Sequence, residues 1–429
     1  MPLVRPFRAR LYRHEPGQDL SHVVAPPYDV ISPSDRIALL ARDPHNVVSL
    51  ELPEGPLDTS AAGNRYETGR ETWRRLFDDG VIVEDESPAI YVLEQSWERD
   101  GSHVRRRAFV AAVKLHDFSE GIVLPHERTL PKALADRREL TRATAANLSQ
   151  VLSLYSDPAG ETDDIFEAAV TGEPLFCATD AEGVTSRVWA IRDHPRVHAL
   201  TTILAERPVY IADGHHRYTT ALAYRDERRA VASDAAQSEP AYDFVMMALV
   251  NMDDPDLMVL PTHRLARADG QFDPDTLWAS LSVHFELAET GPGHPADALL
   301  HAGRTAFLVR TAGGTTRLAT LRDGVDPAIA IEGPQSAEWK RLDVTVLQEL
   351  VLRPILRIHP DDPGSLERLS FVKDAHRALR VEDADVAFLM APTRMDQLRA
   401  VALGGETMPQ KSTYFYPKLL SGLLFRSLD

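Results

Sequence analysis

The chain has 429 residues, of which 44% are hydrophobic and 26% are charged. That balance is typical of a folded globular protein, and the length predicts two or three domains rather than one. The formal net charge of -17 argues against a nucleic-acid duplex as partner, because neutralising its phosphates needs a concentrated basic face. A small anionic ligand is compatible with this charge if it binds in a local basic pocket.

Cysteine content and hydropathy exclude further classes of protein. Cys177 is the single cysteine, so an internal disulfide and a cysteine-rich zinc site are both excluded. No apolar run approaches the roughly 20 residues that a membrane helix needs. The charged residues at the N-terminus precede no apolar stretch of the kind that a signal peptide carries. We therefore expect a cytoplasmic protein without a membrane partner.

The first segment, 1–86, is expected to be an extension that packs on the core. Helices are predicted after Ser32, with Pro33 at the first position and Asp35 in the first turn, and over 66–78. Segment 87–266 is the predicted core. Its pattern indicates a hairpin of strands 89–97 and 107–115 around Asp100-Gly101. Further strands are predicted at 151–155, 188–191 and 208–212, and a strand buried on both faces at 243–251. The predicted helices are 132–150, 194–205 and 218–232.

The third segment, 267–429, follows a change of composition near 266–273 and is expected to be an α/β domain that closes the site. Its elements again follow from the spacing of apolar residues. They are helix 275–281, strands 305–310 and 316–321, helices 343–352 and 373–380, strand 387–390, helix 394–402 and a terminal segment rich in lysine and tyrosine.

The densest group of candidate site residues is Asp213-Gly214-His215-His216-Arg217, between a predicted buried strand and a predicted helix. Gly214 allows a sharp turn, after which the first N–H groups of the helix and its dipole favour an anion. Arg217 can bind two phosphate oxygens, and Asp213 fits such a site if it holds Mg²⁺ or orients a histidine. The motif therefore predicts a phosphate site. An Asp-Gly turn with a capping aspartate and a metal site built on the histidines are the alternatives.

A loop that carries Glu127 is the second candidate. Glu127 stands between His126 and Arg128, and a carboxylate in such a loop can act as a general base toward a substrate hydroxyl. An ordinary solvated glutamate is the alternative.

Two proline-containing segments complete the set. Residues 408–418 combine two lysines with the aliphatic hydroxyls of Ser412 and Thr413, which suits the binding of phosphate or carboxylate. A terminal strand with surface lysines explains the composition equally well. Residues 25–32 form either a rigid turn before a helix or a lining of the site.

Three of these segments, in the same order, resemble the archaeal free-serine kinases that use ADP as phosphate donor. Those kinases carry a Pro-His-Glu loop, a strand followed by Asp-Gly-His-His-Arg and an aromatic residue, and a late Pro-Lys-Thr-Thr segment. The counterparts here are 125–127, 213–218 and 409–413, with Gln410 inserted between Pro409 and Lys411. Over nearly its full length the chain also resembles a bacterial family catalogued as domain of unknown function 1015.

The kinases belong to the nucleotide-binding superfamily of the chromosome-partitioning protein ParB and of sulfiredoxin. The resemblance implies an α+β fold with a ParB/sulfiredoxin-like core and a mixed sheet. It also implies a kinase that uses ADP or ATP with Mg²⁺ to phosphorylate the hydroxyl of a small molecule such as free L-serine. The alternatives are a nucleotide-hydrolysing regulatory protein of the ParB type and a metal-dependent hydrolase built on His126, Glu127, Asp213 and His215.

The resemblance also assigns roles to individual residues. Catalysis is expected of Glu127 as the base, of Asp213, which would also bind the metal, and of His216. The nucleotide and its phosphates are expected to contact Gly214, His215, Arg217, Tyr218 and Thr219, and the substrate is expected to contact His126, Thr129, Lys411, Ser412 and Thr413.

Overall fold

A computed structural model of the chain describes residues 2–127, 131–231, 239–290, 299, 303–359 and 362–429. Thr129, a predicted substrate residue, lies outside the described residues. The chain divides into two compact units, and each is treated by itself. The described residues of the first unit lie within Met1–Pro125, Thr129–Leu257 and Pro417–Asp429, and those of the second within His126–Arg128 and Met258–Tyr416.

Strands and helices alternate along much of the chain. In chain order the strands are β1 (Val4–Arg5), β2 (Arg10–Tyr12), β3 (Gln18–Asp19), β4 (Ile82–Glu84), β5 (Ile90–Arg99), β6 (Ser102–Lys114), β7 (Val123–Leu124), β8 (Ala146–Asn147), β9 (Val151–Tyr155), β10 (Phe176–Thr179), β11 (Thr185–Ile191), β12 (Val209–Asp213), β13 (Phe244–Asn251), β14 (Met258–Leu260), β15 (His263–Ala266), β16 (Phe285–Glu289), β17 (Ala306–Thr311), β18 (Thr316–Leu321), β19 (Leu369–Val372), β20 (Val386–Met390), β21 (Tyr414–Tyr416) and β22 (Arg426–Ser427). The helices are α1 (Pro33–Arg42), α2 (Val48–Glu51), α3 (Arg65–Asp78), α4 (Pro131–Thr144), α5 (Asp163–Ala169), α6 (His194–Ala205), α7 (His215–Val231), α8 (Pro274–Leu281), α9 (Pro327–Ala330), α10 (Ala337–Lys340), α11 (Asp343–Leu347), α12 (Pro363–Leu366), α13 (Ala375–Arg380) and α14 (Met395–Leu403).

The first unit is built on a large mixed sheet of ten described strands. Its order is β3-β10-β11-β5-β6-β13-β9-β12-β7, and β1 pairs with β6 beside this path. β12 lies between β9, to which it is antiparallel, and β7, to which it is parallel. The strand that ends at Asp213 is thus hydrogen-bonded on both sides, which fixes the direction in which the chain leaves it.

The core of the first unit joins this sheet to the helices that follow its strands. Val209 and Ile211 of β12 pack in one cluster with Leu200 of α6 and with Tyr218 and Ala221 of α7. A helix whose apolar residues recur at this spacing places one side against the sheet. α7 is therefore anchored on the sheet within one turn of its first residue.

The hairpin of β5 and β6 is the longest antiparallel pair. Asp100 and Gly101 both have positive φ, 51° and 76°, and Arg99 pairs with Ser102 across the turn. Positive φ at both central residues is the conformation that suits a two-residue hairpin, and aspartate followed by glycine tolerates it. The predicted hairpin is confirmed.

The second unit contains a six-stranded sheet in which every described pair is antiparallel, in the order β16-β18-β17-β20-β15-β19. One of its faces buries a cluster that includes Leu265, Leu308, Leu389 and Ala378. A separate ribbon pairs β14 with β21. The described fold is mixed α+β, as predicted, with one large mixed sheet and several smaller ones.

Several element boundaries differ from the predictions, and in two cases the α-helix ends well before its predicted last residue. The predicted helix 132–150 ends at Thr144, because Ala145 takes a left-handed φ of 46° and the next two residues pair with β22. The predicted helix 343–352 is α-helical only to Leu347 and continues as a π-helical turn over Gln348–Leu352. By contrast, α6 occupies the predicted residues.

Candidate functional site

The predicted strand, glycine and helix occur in the predicted order. β12 ends at Asp213, Gly214 has a φ of +90°, and α7 begins at His215. A Cβ on residue 214 would lie 2.9 Å from Nε of Arg217, which is closer than van der Waals contact, so a side chain there would displace the guanidinium. Gly214 therefore allows both the turn and the position of the Arg217 guanidinium above it.

Asp213 is held between the backbone and a lysine. Its Oδ1 accepts the N–H of Gly214 at 2.7 Å, and its Oδ2 accepts from Nζ of Lys418 at 2.7 Å. Burial by itself would raise the pKa of this carboxyl, but the charges of Lys418 and Arg217 outweigh burial and hold the pKa well below its usual range. Asp213 is thus a carboxylate at neutral pH, at the start of α7.

Two buried side chains hold Lys418 in place. Gln95 of β5 donates to the Lys418 carbonyl at 3.0 Å. Arg106 of β6, which is 2% exposed, donates to the Gln95 side chain and to the Pro417 carbonyl, the latter at 2.6 Å. Burial lowers the pKa of Arg106 to about 10, opposed by the charge of Asp213. We call Gln95, Arg106, Asp213, Arg217 and Lys418 the Asp213 cluster.

Arg217 is only half-buried and turns toward the chain that precedes β9. Its Nη1 donates to the Gln150 carbonyl, and the Gln150 amide donates in turn to the Leu420 carbonyl at 3.1 Å. Burial raises the pKa of Tyr28 to about 12, while the charges of Arg137 and Arg217 act in the opposite direction. The proline-containing segment 25–32 therefore brings one side chain, Tyr28, within electrostatic reach of Arg217.

The other predicted residues of α7 differ in their surroundings. His215 is buried and His216 half-buried. Tyr218 is fully buried; its hydroxyl donates to the His116 carbonyl at 2.7 Å and accepts the His116 N–H at 3.0 Å. The buried Oγ1 of Thr219 has no hydrogen-bond partner among the described residues. Tyr218 thus anchors the helix, and its assignment to nucleotide binding stays a prediction.

The second unit brings the other two motifs together. The His126 carbonyl accepts the Met408 N–H at 2.8 Å, and Glu127 and Met408 form a parallel bridge. Nε2 of His126 lies 2.9 Å from Oγ1 of Thr413, although the two residues are 287 positions apart in the sequence. The two segments therefore meet within the second unit, and their assignment to a substrate site stays a prediction.

The chain around Ser412 is fixed by its own contacts. Oγ1 of Thr393 donates to the Ser412 carbonyl at 2.8 Å, and Oγ of Ser412 donates to the Pro409 carbonyl. Lys411 has a positive φ of 57° and an exposed side chain, and its carbonyl accepts from Nη2 of Arg264 at 3.0 Å. Of the predicted substrate residues here, Ser412 is buried and Lys411 faces solvent.

The family model described as protein of unknown function (DUF1015) matches residues 4–345. The chain belongs to this family. A search of curated proteins gave no match. Among the described residues of this DUF1015 chain, no helix combines the length and the apolar character needed to cross a membrane.

Several solved structures are similar to this family member. A mutant free serine kinase in complex with ADP is 12% identical with a TM-score of 0.34, over 72% of this chain and 87% of that one. A conserved hypothetical protein from Pyrococcus furiosus is 12% identical with a TM-score of 0.33, over 73% and 92%. C-terminally truncated SbnI from Staphylococcus aureus is 12% identical with a TM-score of 0.35, over 73% and 85%.

Three members of the Asp213 cluster, Gln95, Arg106 and Lys418, are absent from the predicted site residues. Lys418 carries a signal, because it lies in the proline-containing segment that is predicted to bind an anion. Arg106 is the middle residue of three consecutive arginines in β6, and alternation along a strand turns it to the face opposite its neighbours. Nothing in the sequence marks Gln95 as a site residue, since a glutamine in a strand is common.

Mg²⁺ fits the Asp213 cluster of this DUF1015 chain under one condition. Asp213 supplies a single carboxylate, and both its oxygens already accept hydrogen bonds. The described residues contain no group of three or more His, Cys, Asp and Glu side chains that could hold a metal. Because Mg²⁺ commonly binds through one or two carboxylates together with substrate phosphates, Asp213 fits it only as one ligand, and a bound phosphate would have to supply others.

Proposed function

We propose that this protein is a nucleotide-dependent kinase that transfers a phosphoryl group from ADP or ATP to the hydroxyl of a small molecule. Free L-serine is the first acceptor to test, because the motif resemblance points to it. The observation that carries the proposal is the Asp213 cluster, in which three cations surround one carboxylate at the start of a helix.

The charge of this cluster favours a polyphosphate. The cluster has one negative charge, on Asp213, and three positive charges, on Arg106, Arg217 and Lys418. The first N–H groups of α7 add the positive end of the helix dipole. Phosphoryl transfer depends mainly on positioning and on charge neutralisation, with little covalent participation by the protein. A partly buried group of fixed cations supplies both.

Within this proposal, three members of the cluster and the neighbouring His216 have tasks. Arg217, whose guanidinium is fixed above Gly214, would bind phosphate oxygens, and His216 would assist at the transferred group. Lys418 would move its contact from Asp213 to the nucleotide, which leaves the carboxylate for Mg²⁺. The ion, when bound, neutralises phosphate charge.

Glu127 is the proposed general base of the reaction. The loop that carries it is fixed by the hydrogen bonds of His126 to Met408 and Thr413, and Arg264 lies within electrostatic reach of its carboxylate. Thr413, Ser412 and Lys411 would contact the acceptor. A general base accelerates such a step by about 10²–10⁴-fold.

The proposal also includes a ParB/sulfiredoxin-like assignment of the nucleotide-binding core and a cytoplasmic location. The large mixed sheet with a helix that starts directly after β12, an internal strand next to the edge, is compatible with such a core.

The decisive experiment measures turnover with ADP or ATP, Mg²⁺ and a panel of hydroxyl-bearing amino acids, by detection of the phosphorylated product. Arg217→Ala should lower kcat by about 10³–10⁵-fold and weaken nucleotide binding. Glu127→Gln should lower kcat by about 10²–10⁴-fold and leave nucleotide binding unchanged. The exposed residues Arg196 and Glu338 supply matched controls, Arg196→Ala and Glu338→Gln, which should retain wild-type turnover.

Two results would count against the proposal. Wild-type turnover by Glu127→Gln would remove the base assignment. Nucleotide hydrolysis that proceeds at the same rate with and without every hydroxyl acceptor would replace the kinase by a nucleotide-hydrolysing protein of the ParB type.

A further inference from the structure

The second unit contains a cavity of about 590 Å³. Cavities of roughly 300–1,000 Å³ are the usual size of small-molecule sites. Its wall is formed by the β15–β19 side of the six-stranded sheet, by α10, by the π-helical turn at Gln348–Leu352 and by the chain at 405–410. An amino acid as small as serine would leave most of such a volume to water, so the cavity suits a larger molecule.

Aromatic and aliphatic side chains line much of this cavity. Trp339 and Phe371 contribute rings, and Leu352, Leu366 and Leu369 contribute aliphatic surface. Nε1 of Trp339 donates to the Thr407 carbonyl at 2.9 Å, so the plane of the indole is fixed. A fixed indole offers a bound molecule one flat apolar surface of ring size.

The π-helical turn shapes one wall. Gln348, Glu349 and Leu352 all line the cavity, although they belong to a single turn of five residues. A π-helical turn interrupts the α-helical hydrogen-bond pattern, and such turns occur frequently at functional sites. One wall of the cavity therefore contains a π-helical turn in place of a regular α-helical one.

Arg264 is the buried cation of the cavity wall, and it is 4% exposed. Its guanidinium donates to the Thr262 carbonyl, to the Lys411 carbonyl at 3.0 Å and to Sδ of Met390 at 3.1 Å. Among the described residues no carboxylate forms a salt bridge with it. Burial lowers the pKa of Arg264 to about 10, opposed by the more distant charge of Glu127.

Two of the three glutamates that line the cavity have partners, and the third, Glu332, is exposed. Glu349 forms a salt bridge with Arg353 at 3.1 Å, and Glu406 accepts the Ser336 N–H at 2.9 Å. A buried charge without an opposite charge is costly, so an anionic group that enters the cavity next to Arg264 would offset that cost. The ring of Phe371, 5.5 Å from the guanidinium carbon, places an apolar surface beside the same group.

We infer that this cavity binds a small organic carboxylic acid with an apolar, ring-sized body, whose carboxylate pairs with Arg264. The ligand site is additional to the proposed phosphate site and does not depend on the proposed kinase activity.

The test uses isothermal titration of the full chain, without nucleotide, against benzoate, phenylpyruvate and indole-3-acetate. Each acid is compared with its neutral amide, which has the same shape but no charge. Since a hydrogen bond to a charged group contributes about 10- to 100-fold in affinity, at least one acid should bind tenfold or more tightly than its amide. Arg264→Met should remove this preference, and Arg267→Met, at an exposed arginine three residues along the chain, should retain it.

A second variant keeps the test valid if Arg264→Met fails to fold. Gln335 lines the cavity, and Gln335→Trp should narrow it and weaken binding of the acids while it leaves Arg264 in place. Equal affinity for acid and amide, binding that neither variant weakens, or no binding by any of the acids would overturn the inference.

Discussion

At Asp213, burial and charge act in opposite directions on one carboxyl group. Burial favours the protonated form, whereas Lys418 at 2.7 Å and the nearby Arg217 favour the carboxylate, and the cations prevail. The same cations are the groups that the proposed nucleotide phosphates would contact. The carboxylate therefore helps to hold Lys418 in position.

The first prediction concerns the acid side of the stability profile. Because the folded state lowers the pKa of Asp213, the group adds stability above the pKa of an unfolded aspartate, about 3.9, and loses it as pH falls below that value. Asp213→Asn should therefore destabilise the protein by about 3 kcal/mol at pH 7, and the difference should shrink below about pH 4. The free energy of unfolding of the wild type and of the variant is measured by urea unfolding from pH 3 to pH 7. The exposed Asp323→Asn is the control and should show less than about 1 kcal/mol throughout.

The second prediction concerns Gly214. An alanine at a φ of +90° is disfavoured by about 1–2 kcal/mol, and its Cβ would displace the Arg217 guanidinium. Gly214→Ala should weaken ADP binding by tenfold or more, about 1.4 kcal/mol, measured by titration calorimetry. Gly172→Ala is the matched control, since its φ is not positive and its Cβ would meet no atom within 4 Å. Equal ADP affinity of the two variants would contradict the role of the turn.

Among the elements, α7 joins the candidate site to the core. Its first turn carries the histidines and the arginine of the Asp-Gly-His-His-Arg motif, and its fourth residue, Tyr218, is fixed to the segment after β6 by both hydrogen bonds of its hydroxyl. The ring also stacks on Phe118, with 5.3 Å between centroids. The start of the helix is therefore fixed by tertiary contacts as well as by the glycine.

The third prediction separates the two roles of Tyr218. Tyr218→Phe leaves the partly buried His116 backbone groups without their partner and should cost about 1–3 kcal/mol of stability. If the hydroxyl only anchors the helix, the affinity for ADP should stay at the wild-type value under conditions where the variant is folded. Thermal unfolding and ADP titration on the same preparation provide both numbers. Loss of affinity without loss of stability would instead support the predicted contact with the nucleotide.

Local signals in the sequence predict most elements. α1 begins at Pro33 with a capping box between Ser32 and Asp35, and α6 begins after Asp193, whose side chain caps it. Such signals lie within four residues of what they determine. The pairing of Lys418 with Asp213 spans 205 residues, and no local pattern encodes it. The end of α4 likewise depends on a strand near the C-terminus, which explains why the predicted helix extends beyond the observed one.

For the whole molecule, the two compact units bury separate apolar clusters. Leu249 belongs to the cluster of the first unit and Leu308 to that of the second, and both are fully buried. Chains with more than one core commonly depart from two-state unfolding. The chain has an overall charge of -17, whereas cations are in excess around Asp213. An anionic ligand that binds these cations would stabilise the first unit, which contains Asp213.

The last prediction follows from these two cores. Leu249→Ala and Leu308→Ala should each cost about 2–5 kcal/mol, but in scanning calorimetry each should lower a different transition. ADP at about 100 times its Kd adds roughly 2.7 kcal/mol to the state that binds it, and it should raise the transition that Leu249→Ala lowers, because the Asp213 cluster lies in that unit. The other transition should respond to Leu308→Ala alone. A single transition that both substitutions lower equally would show that the chain unfolds as one cooperative body, and ADP would then stabilise both clusters together.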